Sequence, residues 1–234
     1  MALIDIVQNA ASRLGLKQPV AVVGSTDLTA QILLSLANQE GDELARYHDW
    51  QDMIVQREFF SLNQVEQTGA LPDDYDHLAY NVEIWDRTNN LRFTGPTPQR
   101  VWQQLQTGVT GGVAGWWRLI GGELNIYPAQ AENNTIAFEY ISKNWCKSAS
   151  GTPQAAFEDD TDVAIIPERL ITLGVVWRFQ QSRGFAQYAE SMATYEREKE
   201  KAAARDRGTG RITPDETGRH GMPPQPIWNG TVGS

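Results

Sequence analysis

The sequence predicts an α+β protein: helices at both ends of the chain, a small antiparallel β domain between them and an extended C-terminal arm. Three observations carry that reading. Apolar residues recur at helical spacing before residue 51 and again after Pro167. The middle third is rich in β-branched and aromatic residues, punctuated by Gly, Asn and Asp. From Gly208 onward Gly and Pro are too dense to leave room for a core. The boundaries fall at 1–51 for the N-terminal helices, 52–146 for the β-rich insertion with one short helix, 147–207 for the C-terminal helices and 208–234 for the arm.

Leu3, Ile6, Val7, Ala10, Ala11 and Leu14 put one apolar stripe on a helix over 2–15, with Gly15 as its stop. Lys17-Gln18-Pro19 is a linker. Ser25, Thr26 and Asp27 are all good N-cap types and open a longer helix. It carries Leu28, Ile32, Leu33, Leu36, Ala37, Leu44 and Ala45 and runs out near Asp49-Trp50; Gly41 inside it marks a kink or close packing. Residues 53–62 read as a strand, and Leu71-Pro72-Asp73-Asp74-Tyr75 as a turn whose Asp side chains satisfy its backbone. Strand character returns at 80–85 and 91–93. Pro96-Thr97-Pro98 opens a short helix with Val101, Trp102 and Leu105, Thr97 as N-cap and Pro98 in the first helical position. A Gly-rich loop covers 108–115. Strands at 116–120, 123–127 and 135–140 are separated by the hairpin signals Gly121-Gly122 and Glu132-Asn133-Asn134.

Residues 146–160 read as an exposed loop. Pro167 fits the first turn of a third long helix. Leu170, Ile171, Leu173, Val175, Val176, Trp177 and Phe179 make it apolar on nearly every face, which implies burial between other helices. Gly184 ends it. Phe185, Tyr188, Ala189, Met192 and Tyr195 then form one stripe on a fourth helix. Its end is a dense mix of both charges, with Glu196/Lys199 and Glu198/Lys201 as i,i+3 pairs.

At 234 residues and 41% hydrophobic, the chain can bury a sizeable core. Twenty basic against 29 acidic residues give a net charge of −9, which argues against a protein built to grip DNA phosphates. The single cysteine, Cys146, excludes an internal disulfide framework and reads as a small buried hydrophobe. His48, His77 and His220 are not at metal-ligand spacing, and Asp73, Asp74 and Asp76 lack the Gly and terminal Glu of a calcium loop. There is no P-loop, dinucleotide fingerprint, zincin motif or nucleophile elbow. The reading is of a non-enzymatic protein with no catalytic, cofactor or metal residues. No apolar run is long enough to span a bilayer, and 1–16 lacks a secretion signal.

Eight Trp stand out. Trp116 and Trp117 are neighbours on a strand and must point to opposite faces. One can enter the core; the other faces solvent or a partner. That suits a protein interface or a sugar-stacking platform, and equally a Trp-rich core. In the tail, Pro223-Pro224-Gln225-Pro226-Ile227-Trp228 has the composition of a docking arm, because Pro-rich segments are extended before binding and lose less entropy on it. The other reading is a chain end with an incidental Trp.

Three segments together resemble the head-to-tail adaptor family of tailed bacteriophages, especially short-tailed ones. The first is Tyr47-His48-Asp49-Trp50-Gln51 with the strand after it and Leu71-Pro72-Asp73-Asp74-Tyr75. The second is the run from Thr135 through Phe138-Glu139-Tyr140 to Asn144-Trp145-Cys146, followed by the acidic stretch Asp159, Asp160, Asp162. The third is the apolar helix after Pro167, ending in Trp177-Arg178-Phe179, with the charged helix behind it. The resemblance implies a helical bundle made from the N- and C-terminal helices, with the β domain inserted. It implies a structural virion protein of the neck, assembled in the host cytoplasm. Dodecameric rings would sit under the portal protein, with the tail nozzle or tube protein attached below and genomic DNA passing through. The arm would then meet the portal through Ile212, Pro223, Pro224, Pro226, Ile227 and Trp228, and Trp116 and Trp117 would serve a ring interface. No membrane partner is expected. An acidic lumen would let DNA slide. The competing reading is a carbohydrate-binding or host-recognition tail module using exposed Trp side chains.

Overall fold

Residues 2–79, 82–108 and 115–206 are described by the structure, a computed structural model. The periodic apolar stripes become four long helices. Helix α1 covers Leu3–Arg13 and buries Leu3, Ile6, Val7, Ala10 and Ala11. Helix α2 covers Leu28–Tyr47, and the Asp27 side chain caps it by accepting from the Thr29 N–H at 2.9 Å. After the sheet come α4, Glu168–Ser182, and α5, Tyr188–Asp206. Helix α4 packs against α1, α2 and α5 at once, which is why it is apolar all round. Gly184 takes a φ of +70° just after α4, and α5 folds back antiparallel, bringing Tyr195 to Trp177 and Glu198 to Arg169.

Two helical glycines are there for space. The Trp145 indole crosses α2 at Gly41, and the Glu40 carboxylate crosses α4 at Gly174; a Cβ at either position would fall inside those groups. Gly41 therefore marks close packing.

Seven strands follow one another across a sheet in the order β1 (Ile54–Phe60), β8 (Thr135–Ser142), β4 (Ile84–Asp86), β5 (Leu91–Thr94), β6 (Gly115–Ile120), β7 (Glu123–Tyr127) and β2 (Glu66–Gln67). An eighth, β3 (Tyr75–Leu78), shares with β4 the edge of β8 opposite β1. The two ends of that order, β1 and β2, are joined by residues 61–65 alone. Laid flat, six strand spacings would separate them by about 29 Å. The connecting chain reaches only about 21 Å. The sheet must curl. Its inner face holds Ile84, Phe93, Trp117, Leu124, Ile126, Ile136, Phe138 and Tyr140 as one apolar cluster. A second cluster is built from the helices and reaches the sheet at Ile141, with Met53 and Trp145 beside it.

The expected antiparallel domain is corrected to a mixed sheet. Strands β5 and β6 run parallel, Phe93 opposite Gly115, and the short helix α3 (Gln99–Gln106) lies in the connection between them. A parallel pair needs such a crossover. The Gly121-Gly122 hairpin forms between β6 and β7, both glycines at positive φ. Glu132-Asn133-Asn134 does not make a second one. Strand β7 pairs with β6 and β2, whereas β8 pairs with β1, β3 and β4. The Asn134 side chain is buried instead and donates to Asp86 at 3.1 Å. Pro98, not Thr97, is the N-cap of α3; the Thr97 hydroxyl turns back to the Thr94 carbonyl at 3.3 Å.

The expected loop at 146–160 is also corrected. It contributes β9 (Cys146–Lys147) and β10 (Pro153–Gln154), which with β11 (Val163–Ala164) form a small antiparallel sheet. Cys146 and Phe157 are buried there. Of the predicted Gly-rich loop, residues 109–114 lie outside the described residues, as do Tyr80 and Asn81.

Candidate functional site

The acidic stretch in the second segment is spent on the fold. Asp160 accepts from the Val22 and Val23 N–H groups at 3.1 and 2.8 Å, and the Asp162 carboxylate from the Glu158 and Asp159 N–H groups at 2.7 and 2.8 Å. The carbonyls of Asp162 and Asp160 accept from the first turn of α1, at Leu3 and Ile4. Asp74 accepts from the Tyr140 hydroxyl at 2.9 Å and the Ser142 hydroxyl at 2.7 Å. Burial, reinforced by Asp74, pushes the Tyr140 phenol up to about 12. Among the described residues no group of three His, Cys, Asp or Glu is placed to hold a metal ion. The Cys146 thiol donates to the Gln154 carbonyl at 3.2 Å; burial, with Asp162 and Glu158 nearby, pushes it up to about 12, so it stays protonated at neutral pH.

Inside the helices sits an ionic cluster that the sequence reading did not find. Glu40 has no exposed surface and accepts from Arg178 Nε at 2.7 Å, while the same guanidinium reaches Glu43. Burial raises the Glu40 carboxyl, opposed by the Tyr195 hydroxyl and by Arg178. The only sequence signal was Gly174 interrupting an otherwise large-residue helix.

A third polar group joins the helices to the sheet. His48 Nε2 lies 2.9 Å from Asp206 Oδ2, and that oxygen also accepts from the Gln51 N–H at 3.1 Å. Next in sequence, Asp49 Oδ1 lies 3.1 Å from His77 Nε2, whose other nitrogen is 2.7 Å from Asp76. Read along the chain these histidines were isolated; the fold gathers both around residues 48 and 49.

The surfaces lie elsewhere. The pairs Glu40–Tyr195 and His48–Asp206 set α2 and α5 parallel in one alignment. At the start of α2 Leu28 is 67% exposed; at the start of α5 Phe185 is 43% exposed and Tyr188 and Met192 38% each. Of the expected fourth-helix stripe, Tyr195 is covered and these three aromatic and sulfur side chains are not. On the sheet, Trp117 is 1% exposed in the inner cluster and presents no surface to another chain. Its register position opposite Ile126 faces inward; Trp116, opposite Tyr127, faces outward and is half-buried. Of the two ring-interface candidates, Trp116 alone keeps surface. Trp50, Trp102 and Trp145 are buried as well, and Trp85 is the one exposed tryptophan among the described residues. Ile212, Pro223, Pro224, Pro226, Ile227 and Trp228 lie outside the described residues.

The chain belongs to the SU10 adaptor protein family, whose model matches residues 1–221. It is thus a phage adaptor protein, a structural component of a virion that works through contact with other virion proteins. No curated protein matches the chain. Among the described residues no helix is long and apolar enough to cross a membrane.

Proposed function

We propose that the protein is a head-to-tail adaptor: copies form a closed ring beneath the portal, the tail nozzle or tube attaches below, and the genome passes through the lumen. The observation that carries this is the family match over 1–221. Twelve copies and attachment to a portal come with the resemblance stated above. Ring contacts are heterologous and need two unlike surfaces on each chain. The proposed pair is the exposed apolar side chains Phe185, Tyr188 and Met192 of the helices and the outward face of the sheet at Trp85 and Trp116. The arm residues Ile212, Pro223, Pro224, Pro226, Ile227 and Trp228 are the proposed portal contact. A net charge of −9 suits a conduit that must not hold DNA.

The test is purification from infected cells of a chain tagged at its N-terminus, with imaging and mass spectrometry of what comes with it. Rings carrying a portal protein are the expected result. A lone chain, recovered from cells that contain packaged heads, would overturn the reading.

A further inference from the structure

Helix α2 ends at Tyr47, and β1 begins at Ile54. Between them His48 is extended, with φ of −152°, and Gln51–Met53 make one 3₁₀ turn. This short link is held from both sides. Its helix side is tied to the last residue of α5 through His48–Asp206 and Gln51–Asp206. Its sheet side is tied to β3 through Asp49–His77. Trp50 anchors the middle: its indole N–H donates to the Leu44 carbonyl at 2.8 Å, and its ring meets the His48 ring edge-on at 4.9 Å.

His77 has a carboxylate oxygen at each nitrogen, Asp76 at 2.7 Å and Asp49 at 3.1 Å. An ionised carboxylate only accepts. A neutral imidazole has a single N–H and can satisfy one of the two; the imidazolium donates to both. The geometry is therefore that of the charged ring. Other polar groups border it: Arg118 of β6 and Gln99 of α3 line the groove that His77 enters, and Glu139 of β8 and Tyr47 line the one beside Asp49. Lys199 of α5 sits over the Tyr47 ring at 4.4 Å.

We propose that this link is a protonation-sensitive hinge, in which the His77 imidazolium clamps β3 to Asp49 and loss of its proton loosens the sheet from the end of α2. Partial burial alone would lower His77, but the bonds to Asp76 and Asp49 outweigh it and hold the ring above its usual value. A histidine raised in the folded state stabilises fully below its unfolded value, about 6.5, and loses that contribution as pH rises through the folded one. The clamp is therefore closed in mild acid and opens in mild base. The hinge stands on these contacts whether or not the adaptor forms a ring.

The test is hydrogen–deuterium exchange on the full chain at about pH 6 and about pH 8.5, corrected for intrinsic exchange. Residues 47–53 and 75–78 are expected to lose protection about two- to fivefold at the higher pH, the size of a half-exposed ion pair. Helices α1 and α4 are expected not to change. In His77→Asn the lower protection should hold at both pH values. Equal protection in the unaltered chain at both pH values, or a pH response that survives in His77→Asn, would overturn the proposal. Should that variant not fold, the His77 ring-proton titration in the unaltered chain decides: a midpoint above the unfolded value supports the hinge, one at or below it refutes it.

Discussion

Glu40 concentrates the cost of this fold in one residue. A carboxylate without exposed surface is tolerable because Arg178 donates to it at 2.7 Å. Removing the guanidinium leaves the carboxylate buried without its counter-charge, with the Tyr195 hydroxyl still beside it. Arg178→Met should lower unfolding free energy by about 3 kcal/mol at neutral pH, read by urea denaturation. The sign of its pH dependence follows from burial. Glu40 is raised in the folded state, so its ionisation penalty grows as pH rises from the unfolded value through the folded one. The loss in Arg178→Met should shrink as the medium is acidified. Asp162 is a second such residue. It accepts from two backbone N–H groups and is 1% exposed, so Asp162→Ala should cost about 2 kcal/mol, seen as a lower melting temperature.

At the scale of elements, one close joint lies between α2 and the segment that follows β8. Trp145 lies across Gly41 and is braced edge-on by Phe157 with ring centroids 4.8 Å apart. Alanine at an exposed helix position would favour the helix by up to about 1 kcal/mol over glycine. Here the braced indole cannot retreat, and overpacking wins. Gly41→Ala should destabilise by about 2 kcal/mol in the same denaturation experiment. A variant as stable as the parent would mean that Trp145 has room to move.

For the whole molecule the predictions concern assembly. Phe185, Tyr188 and Met192 stand uncovered in one chain. The double variant Phe185→Ser/Met192→Ser should keep the monomer's melting temperature while weakening association, measured by sedimentation. Trp228→Ala should cost about 2 kcal/mol or more in portal binding, as interface hot spots do. It should leave the melting temperature of the isolated chain unchanged. A large drop would mean that Trp228 belongs to the chain's own core.

Local pattern was enough for the helices and for β1 and β5 to β8; it met β4 only at Ile84 and Trp85 and missed the short strands β2, β3, β9, β10 and β11. Five apolar residues of α1, the Asp27 cap and the all-apolar α4 each follow from spacing or from one side chain's chemistry. Gly121-Gly122 forced a turn through φ alone. Pairing was beyond that reach. Whether Glu132-Asn133-Asn134 returns β8 to β7 or sends it across to β1 depends on where strands distant in sequence lie, and Asn134 is the same residue in both cases. The polar clusters were hidden for the same reason. Glu40 and Arg178 are 138 residues apart, His48 and Asp206 158. A carboxylate becomes a clamp, a core anchor or a solvated charge according to what the folded chain sets beside it. Spacing along one strand of sequence carries no information about that partner, because it is supplied by packing.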